Sequence, residues 1–336
     1  MRAVGYKVPG ALDRADAFVD IDLPKPSPSG RDLLVEVKAV SVNPVDTKVR
    51  RSATPPDGEW KVLGWDATGV VVAAGPDARL FKPGDEVFYA GSIDRSGSNA
   101  EFQLVDERIV GRKPASLDWA EAAALPLTAI TAWEALFDRL EVNRRPKGDA
   151  GLILIPGGGG GVASIAVQLA RRLTDLTVIA TASRLETEKW IRDMGAHHVI
   201  DHRKPLAPQV EALGLGQPSF VFSTTFTSEH AADFAELMAP QGRLCLIDEL
   251  TDISAFKRKA VSIHWEFMYA RPLFGTADLD AQHELLNEVS RLVDAGTLRT
   301  TLTERFSPID AATLKEVHRR IESNTTIGKL VLEGFR

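Results

Sequence analysis

Nine residues near the middle of the chain, Ile155-Pro156-Gly157-Gly158-Gly159-Gly160-Gly161-Val162-Ala163, have the types and spacing to hold a diphosphate. Within them Gly158-x-Gly160-x-x-Ala163 fits the turn in which residues without side chains let the backbone approach a pyrophosphate. Gly161, Val162 and Ala163 would then offer N–H groups from the first turn of a helix. A glycine run matches such a pattern almost by default, and its flanks give it weight. The apolar segment Leu152–Ile155 precedes it, and Val162, Ile165, Ala166 and Leu169 follow at the spacing of one helix face. A flexible linker, the bland alternative, is not bracketed by apolar elements.

About twenty residues beyond the glycines, the next strand pattern ends in Thr181-Ala182-Ser183-Arg184. A carboxylate at that place binds a ribose diol, whereas arginine suits a 2′-phosphate through two parallel hydrogen bonds. Ser183 and Arg184, with Lys189 adding positive charge nearby, point to NADPH. The competing reading leaves Arg184 on a loop and gives the ribose of NADH to Glu186.

The elements that must position these residues come in two textures. Residues 1 to about 115 form short strand patterns, such as Leu33–Val37, Gly69–Ala74 and Glu86–Phe88, separated by turn signals like Lys82-Pro83-Gly84-Asp85. That texture implies a β-rich, barrel-like domain. From 150 to 250 strands alternate with helices, which implies an α/β fold with a doubly wound parallel sheet. Asp118-x-x-Glu121 predicts a capping box. The tail predicts helices over about 279–295 and 308–322, the second with Ser307 as N-cap and Pro308 at its first position.

With 336 residues the chain can bury two substantial cores. A net charge of −6 and the lack of a long basic block argue against a nucleic-acid surface. No apolar run approaches a membrane span, and the N-terminal residues already follow a strand pattern. The single cysteine, Cys245, excludes internal disulfides and a cysteine-rich zinc lobe, so a cytoplasmic setting is expected. Cys245 lies in an apolar strand pattern, as a buried structural thiol does.

Several longer runs carry a resemblance. They are Ser41-Val42-Asn43-Pro44-Val45-Asp46, Leu63-Gly64-Trp65-Asp66-Ala67-Thr68-Gly69, Phe81–Val87, Ala124–Trp133, Gly195–Asp201 and Gly328-Lys329-Leu330-Val331-Leu332. In that order they span nearly the whole chain, which resembles the medium-chain dehydrogenase/reductase superfamily. Its quinone oxidoreductase branch, in the subgroup labelled zinc-type alcohol dehydrogenase-like, is most similar. The resemblance implies a GroES-like catalytic domain over 1–128 and 272–336 and a Rossmann NADPH-binding domain over 129–271.

Zinc is the point of departure. Zinc-dependent relatives carry Cys in the place of Asn43 and His in the place of Trp65, and neither Asn nor an indole is a competent ligand here. Residues 84 to 113, where relatives hold a structural zinc, contain no cysteine. The remaining candidate, His198-x-x-x-His202 beside His197, falls on a strand and its following loop, where residues four apart are separated by about 13 Å. The expectation is a metal-free protein.

A simple alcohol without a Lewis acid is a poor hydride donor, because nothing stabilises its alkoxide. The expected acceptors are therefore quinones and α,β-unsaturated carbonyls. The resemblance implies Asn43 as a polar group near nicotinamide and substrate; the alternative is an amide that holds the Asn43-Pro44 turn. Thr131 would pack on the nicotinamide or its ribose, or make only a local helix bond. Asp46 and Asp66 would organise the pocket or relay a proton, with a structural role as the alternative; Asp66 stands where relatives carry Glu. Trp65, Tyr89, Trp265, Phe267 and Met268 are candidate walls of an apolar pocket between the domains, and among them only Tyr89 has a hydroxyl to donate. The resemblance also sets Thr224, Leu246 and Ile247 beside the cofactor, and His202 where relatives place a tyrosine near the adenosine. The strand pattern around Val261–Phe267 would pair across a two-fold axis in a homodimer. Two other functions stay open: a zinc-dependent alcohol dehydrogenase, and an NADPH-binding sensor or partner protein without turnover.

Overall fold

The computed structural model describes residues 1–145 and 148–335, so Arg336, the end of the expected second segment, lies outside the described residues. The chain divides into two compact units, Met1–Leu127 with Tyr269–Arg336, and Thr128–Met268.

The second unit is built on six parallel strands in the spatial order His198–Ile200, Thr177–Thr181, Leu152–Ile155, Phe220–Ser223, Arg243–Leu246 and Ser262–Trp265. Strands with helices on both faces must be apolar throughout, and Leu152–Ile155 and Phe220–Ser223 are buried at every position. The helices Gly161–Leu173, Leu185–Met194, Leu206–Ala212 and Thr227–Leu237 connect successive strands. One core cluster gathers Leu154, Ile179, Leu206, Val210, Val221, Phe234, Leu244 and Phe256. Strand order reverses between Leu152–Ile155 and Phe220–Ser223, and open sheets of this kind bind ligands at the carboxyl ends of the strands flanking such a reversal. The helix Pro126–Trp133 runs on into a π-helical segment, Glu134–Arg139, closed by the Leu140 N–H on the Ala135 carbonyl at 2.9 Å.

The first unit holds the sheet Leu302–Phe306, Lys329–Glu333, Asp32–Ser41, Ala67–Ala74, Glu86–Tyr89 and Val110–Arg112, with Phe102–Asp106 also paired to the long Asp32–Ser41 strand. A smaller sheet contains Val19–Asp22, Arg2–Tyr6 and Lys61–Val62. Val331 pairs with Ser41, which brings the last strand of the chain beside the segment leading into Asn43. The Asp118/Glu121 capping box forms on the helix Trp119–Ala123.

The final helix differs from expectation. It spans Ala311–Glu322 with Asp310 as N-cap, whose carboxylate accepts the Thr313 N–H at 2.8 Å. Ile309 bridges to Phe335 as extended chain, so Ser307 and Pro308 lie before the helix rather than at its start.

Candidate functional site

The glycine turn is built by exclusion. A Cβ on Gly158 would stand 2.4 Å from the Thr181 carbonyl oxygen, and one on Gly159 2.5 Å from the Thr187 side chain. Gly157 has φ +84°, and its Cβ would meet Thr224 Oγ1 at 2.4 Å. Gly160 is the N-cap of the helix Gly161–Leu173 and provides no side-chain cap, so the first-turn N–H groups of Gly161, Val162 and Ala163 have no acceptor within the helix. Gly160 is exposed, Gly161 and Val162 are half-buried, and Ala163 is buried against the sheet. This is a cradle of backbone donors at the positive end of a helix dipole, which fits a pyrophosphate.

Side chains of neighbouring strand ends hold the cradle. Thr224 Oγ1 donates to the Pro156 carbonyl at 2.8 Å, across the reversal of strand order. The Gly157 N–H donates to Thr181 Oγ1 at 3.1 Å, and His202 Nδ1 lies 3.2 Å from that same oxygen. Burial holds the His202 pKa below its ordinary value, which leaves the ring neutral and able to accept from Thr181. Ser183 is half-buried; Arg184 is exposed and is the N-cap of Leu185–Met194. Lys189, one turn along, is paired with Asp193 at 2.6 Å. Leu246 is buried at its strand end, and Ile247 follows half-buried. His197 Nδ1 accepts the Val178 N–H at 2.9 Å, a structural role. Cys245 is buried, and burial pushes its thiol pKa up.

Asn43 belongs to a buried polar cluster in the first unit. It precedes the helix Pro44–Ser52, with proline at the first helical position. Asp46 reaches back to the Asn43 N–H at 2.7 Å and accepts the Gly64 N–H at 3.1 Å. The Asn43 amide nitrogen donates to Asp66 Oδ2 at 3.0 Å and to the Ser41 carbonyl at 3.4 Å, and its oxygen accepts from Lys329. Asp66 Oδ1 accepts the Leu127 N–H at 2.9 Å, and Lys329 Nζ is 3.0 Å from Asp66 Oδ2. Burial is the largest influence on both carboxyls. It lifts Asp46 to about 7 and Asp66 above the usual carboxylate range, against the opposing charge of Lys329.

That donor set does not fit a zinc ion. Its inward-facing atoms are oxygens already engaged by amides and an ammonium, and Trp65 donates its indole N–H to the Ser92 carbonyl at 3.0 Å. Among the described residues no group of three His, Cys, Asp or Glu is placed to hold a metal ion.

The expected aromatic walls have different surroundings. Trp65 is fully buried, with Tyr269 edge-on at 6.2 Å between ring centroids. Tyr89 is fully buried at the end of its strand, opposite Ala67, and its hydroxyl has no hydrogen-bond partner among the described residues. Burial pushes that phenol pKa up, so it remains a donor at any ordinary pH. In the other unit Trp265 and Phe267 are 53% and 47% exposed on alternate positions, while Glu266 and Met268 are buried. Thr131 is buried in the helix Pro126–Trp133.

Two features escaped the sequence reading. One is the role of Lys329, whose only local signal is a charge directly before the apolar run Leu330-Val331-Leu332. The other is a buried pair, Glu134 and Glu266, with Arg139. Arg139 Nε donates to Glu266 Oε2 at 3.0 Å, and its Nη2 is 4.0 Å from Glu134. Glu266 is pushed well above the carboxylate range by burial and then by the Glu134 carboxyl, with which it shares a hydrogen bond. A shared hydrogen bond between two carboxyls requires a proton between them. Winding explains the meeting. Residues five apart lie about 140° apart around an α-helix, and the wider i→i+5 winding swings them back toward one side, where Arg139 and Glu134 both meet Glu266.

Comparisons with known proteins agree with this architecture. Residues 29–115 match the alcohol dehydrogenase GroES-like domain, and 194–332 match a domain described as zinc-binding dehydrogenase. A zinc-type alcohol dehydrogenase-like protein of Staphylococcus aureus is 40% identical over 99% of both chains. The crystal structure of a candidate zinc-dependent alcohol dehydrogenase from Rhizobium etli CFN 42 is 67% identical, covers 100% of this chain and 98% of its own, and superposes with a TM-score of 0.98. The Escherichia coli quinone oxidoreductase solved with NADPH shares the fold, with a TM-score of 0.82 at 21% identity over 99% of this chain and 100% of its own.

Proposed function

Because the chain belongs to the medium-chain dehydrogenase/reductase superfamily, alongside the zinc-type alcohol dehydrogenase-like proteins, we propose that it is an NADPH-dependent, zinc-independent oxidoreductase that reduces a quinone or an α,β-unsaturated carbonyl. The observation that carries this reading is the Asn43–Asp66–Lys329 cluster, which spends its oxygens on an ammonium where a Lewis acid would be needed. An alcohol then has no group to stabilise its alkoxide. A conjugated acceptor spreads the incoming charge and needs only hydrogen-bond donors.

NADPH, when bound, supplies the hydride. The Gly157–Gly161 turn and the N–H groups of Val162 and Ala163 would hold its pyrophosphate. Ser183, Arg184 and Lys189 would meet the 2′-phosphate, His202 the adenosine, and Thr224, Leu246, Ile247 and Thr131 the nicotinamide half. Tyr89 is the proton donor in this reading, since a buried hydroxyl without a partner costs about 1–3 kcal/mol that an acceptor oxygen would relieve. Asn43 serves by orienting its neighbours, because both of its amide hydrogens are engaged.

A screen of NADPH absorbance loss against quinones, 2-alkenals and cyclic enones tests the activity. No acceptor-dependent loss across that panel would favour a non-catalytic NADPH-binding protein, and near-stoichiometric zinc in protein purified without chelator would overturn the metal-free claim. For the cofactor, Arg184→Ala should weaken NADPH by about ten-fold and leave NADH unchanged in a fluorescence titration. Equal losses for both nucleotides would remove the 2′-phosphate from this argument.

A homodimer accompanies the reading. Ser262–Trp265 is the edge strand of its sheet, and the exposed Trp265 and Phe267 make that edge an association hazard in a lone subunit. Trp265→Glu should shift the light-scattering mass from two chains to one, and an unchanged dimer mass would place the interface elsewhere. Among the described residues no helix is long and apolar enough to cross a membrane. The buried free thiol suits the cytoplasm proposed here.

A further inference from the structure

We propose that Lys329 is a resident cation: its ammonium fills the seat of a metal ion among the oxygens of Val42, Asn43 and Asp66, and that seat takes up a hard divalent ion once the side chain is removed. The inference rests on the zinc-free part of the proposed function and not on the identity of the acceptor.

The ammonium donates to the Val42 carbonyl at 3.2 Å and to the Asn43 amide oxygen, and pairs with Asp66 Oδ2 at 3.0 Å. Those acceptors come from a backbone carbonyl, an amide and a carboxylate, the mixed oxygen set that hard cations choose. The seat is dry. Lys329 is 3% exposed, Asn43 1% and Asp66 0%. A charge at such depth is tolerated only when it is paired and fully hydrogen-bonded. The amide of Asn43 is turned to suit a cation, with its oxygen toward Lys329 and its nitrogen donating to Asp66 and to the Ser41 carbonyl. Asp46 accepts the Asn43 N–H and so holds the residue whose amide oxygen lines the seat. The three partners of the ammonium are all oxygens, so the matching ions are Mn2+ and Ca2+ rather than zinc.

The test uses the full chain and the EPR signal of free Mn2+. Lys329→Ala should remove one equivalent of Mn2+ per chain from solution, about ten-fold or more tighter than wild type. Ca2+ should restore the free signal by competition, and Mn2+ should raise the melting temperature of this variant alone. Lys329→Met, which plugs the seat without charge, should bind no more than wild type. Binding by Lys329→Ala no stronger than wild type, or equal binding by Lys329→Met, would overturn the proposal. Should Lys329→Ala fail to fold, Lys329→Met is compared with Lys329→Met/Asp66→Asn by urea denaturation. A cation and its counter-charge removed together should leave the double variant more stable than the single one, and the reverse order sinks the idea.

Discussion

Gly158→Ala loses about 3 kcal/mol of stability and with it measurable NADPH binding, whereas Gly160→Ala folds and loses affinity alone. The contrast follows from what each new methyl meets. At Gly158 it stands 2.4 Å from the Thr181 carbonyl oxygen, part of a central strand that pairs on both sides and has no rotamer to yield. Either the strand or the turn must move, and the turn carries the donors for the pyrophosphate. At Gly160 the methyl meets only the Gly157 carbonyl oxygen at 3.4 Å, an ordinary contact, and φ of −75° suits any residue. Alanine is a poorer N-cap than glycine, which costs about 1 kcal/mol at most. Yet Gly160 is where a diphosphate must come close to the backbone, so NADPH affinity should fall about ten-fold or more. Urea midpoints and fluorescence titrations of the two proteins separate these effects. Equal stability losses at the two positions would contradict the geometry.

The second large effect concerns pH. Glu266 keeps its proton in the fold to well above the carboxylate range, while the unfolded chain gives it up near pH 4.5. Between those limits the unfolded state binds fewer protons, so stability falls as pH rises, by up to about 1.4 kcal/mol per pH unit. It levels off above the folded pKa. Glu266→Gln keeps an oxygen for Arg139 and an N–H for Glu134 but has no proton to lose. Stability measured from pH 7 to 8.5 should therefore fall less steeply in the variant, a range that lies above the rise of Asp46 to about 7. Parallel slopes for the two proteins would mean that the carboxyls hold no shared proton.

What could be foreseen was local. The glycine turn, its strand and its helix occupy adjacent residues, as do Ser183–Arg184 and the Asp118/Glu121 box, so propensity and spacing suffice for each. The buried cluster is different. Lys329 meets Asn43 across 286 residues and Arg139 meets Glu266 across 127, and no periodicity links partners so far apart. The π-winding is hidden for another reason. Apolar positions in Glu134–Arg139 suit an ordinary helix, and Glu266, which Arg139 meets, lies 127 residues away. Ser307-Pro308 misleads because a local helix-start rule loses to the pairing of Ile309 with Phe335.

The return of the last strand has a consequence for biosynthesis. Asp66 is made early, but the ammonium that balances it comes 263 residues later (329 − 66). At about 5–20 residues per second, tens of seconds pass on the ribosome before the two can meet. During that interval the nascent first unit exposes an acidic seam and lacks the strand that covers it. Until the strand Lys329–Glu333 is made, the buried carboxyl of Asp66 stands without its counter-charge.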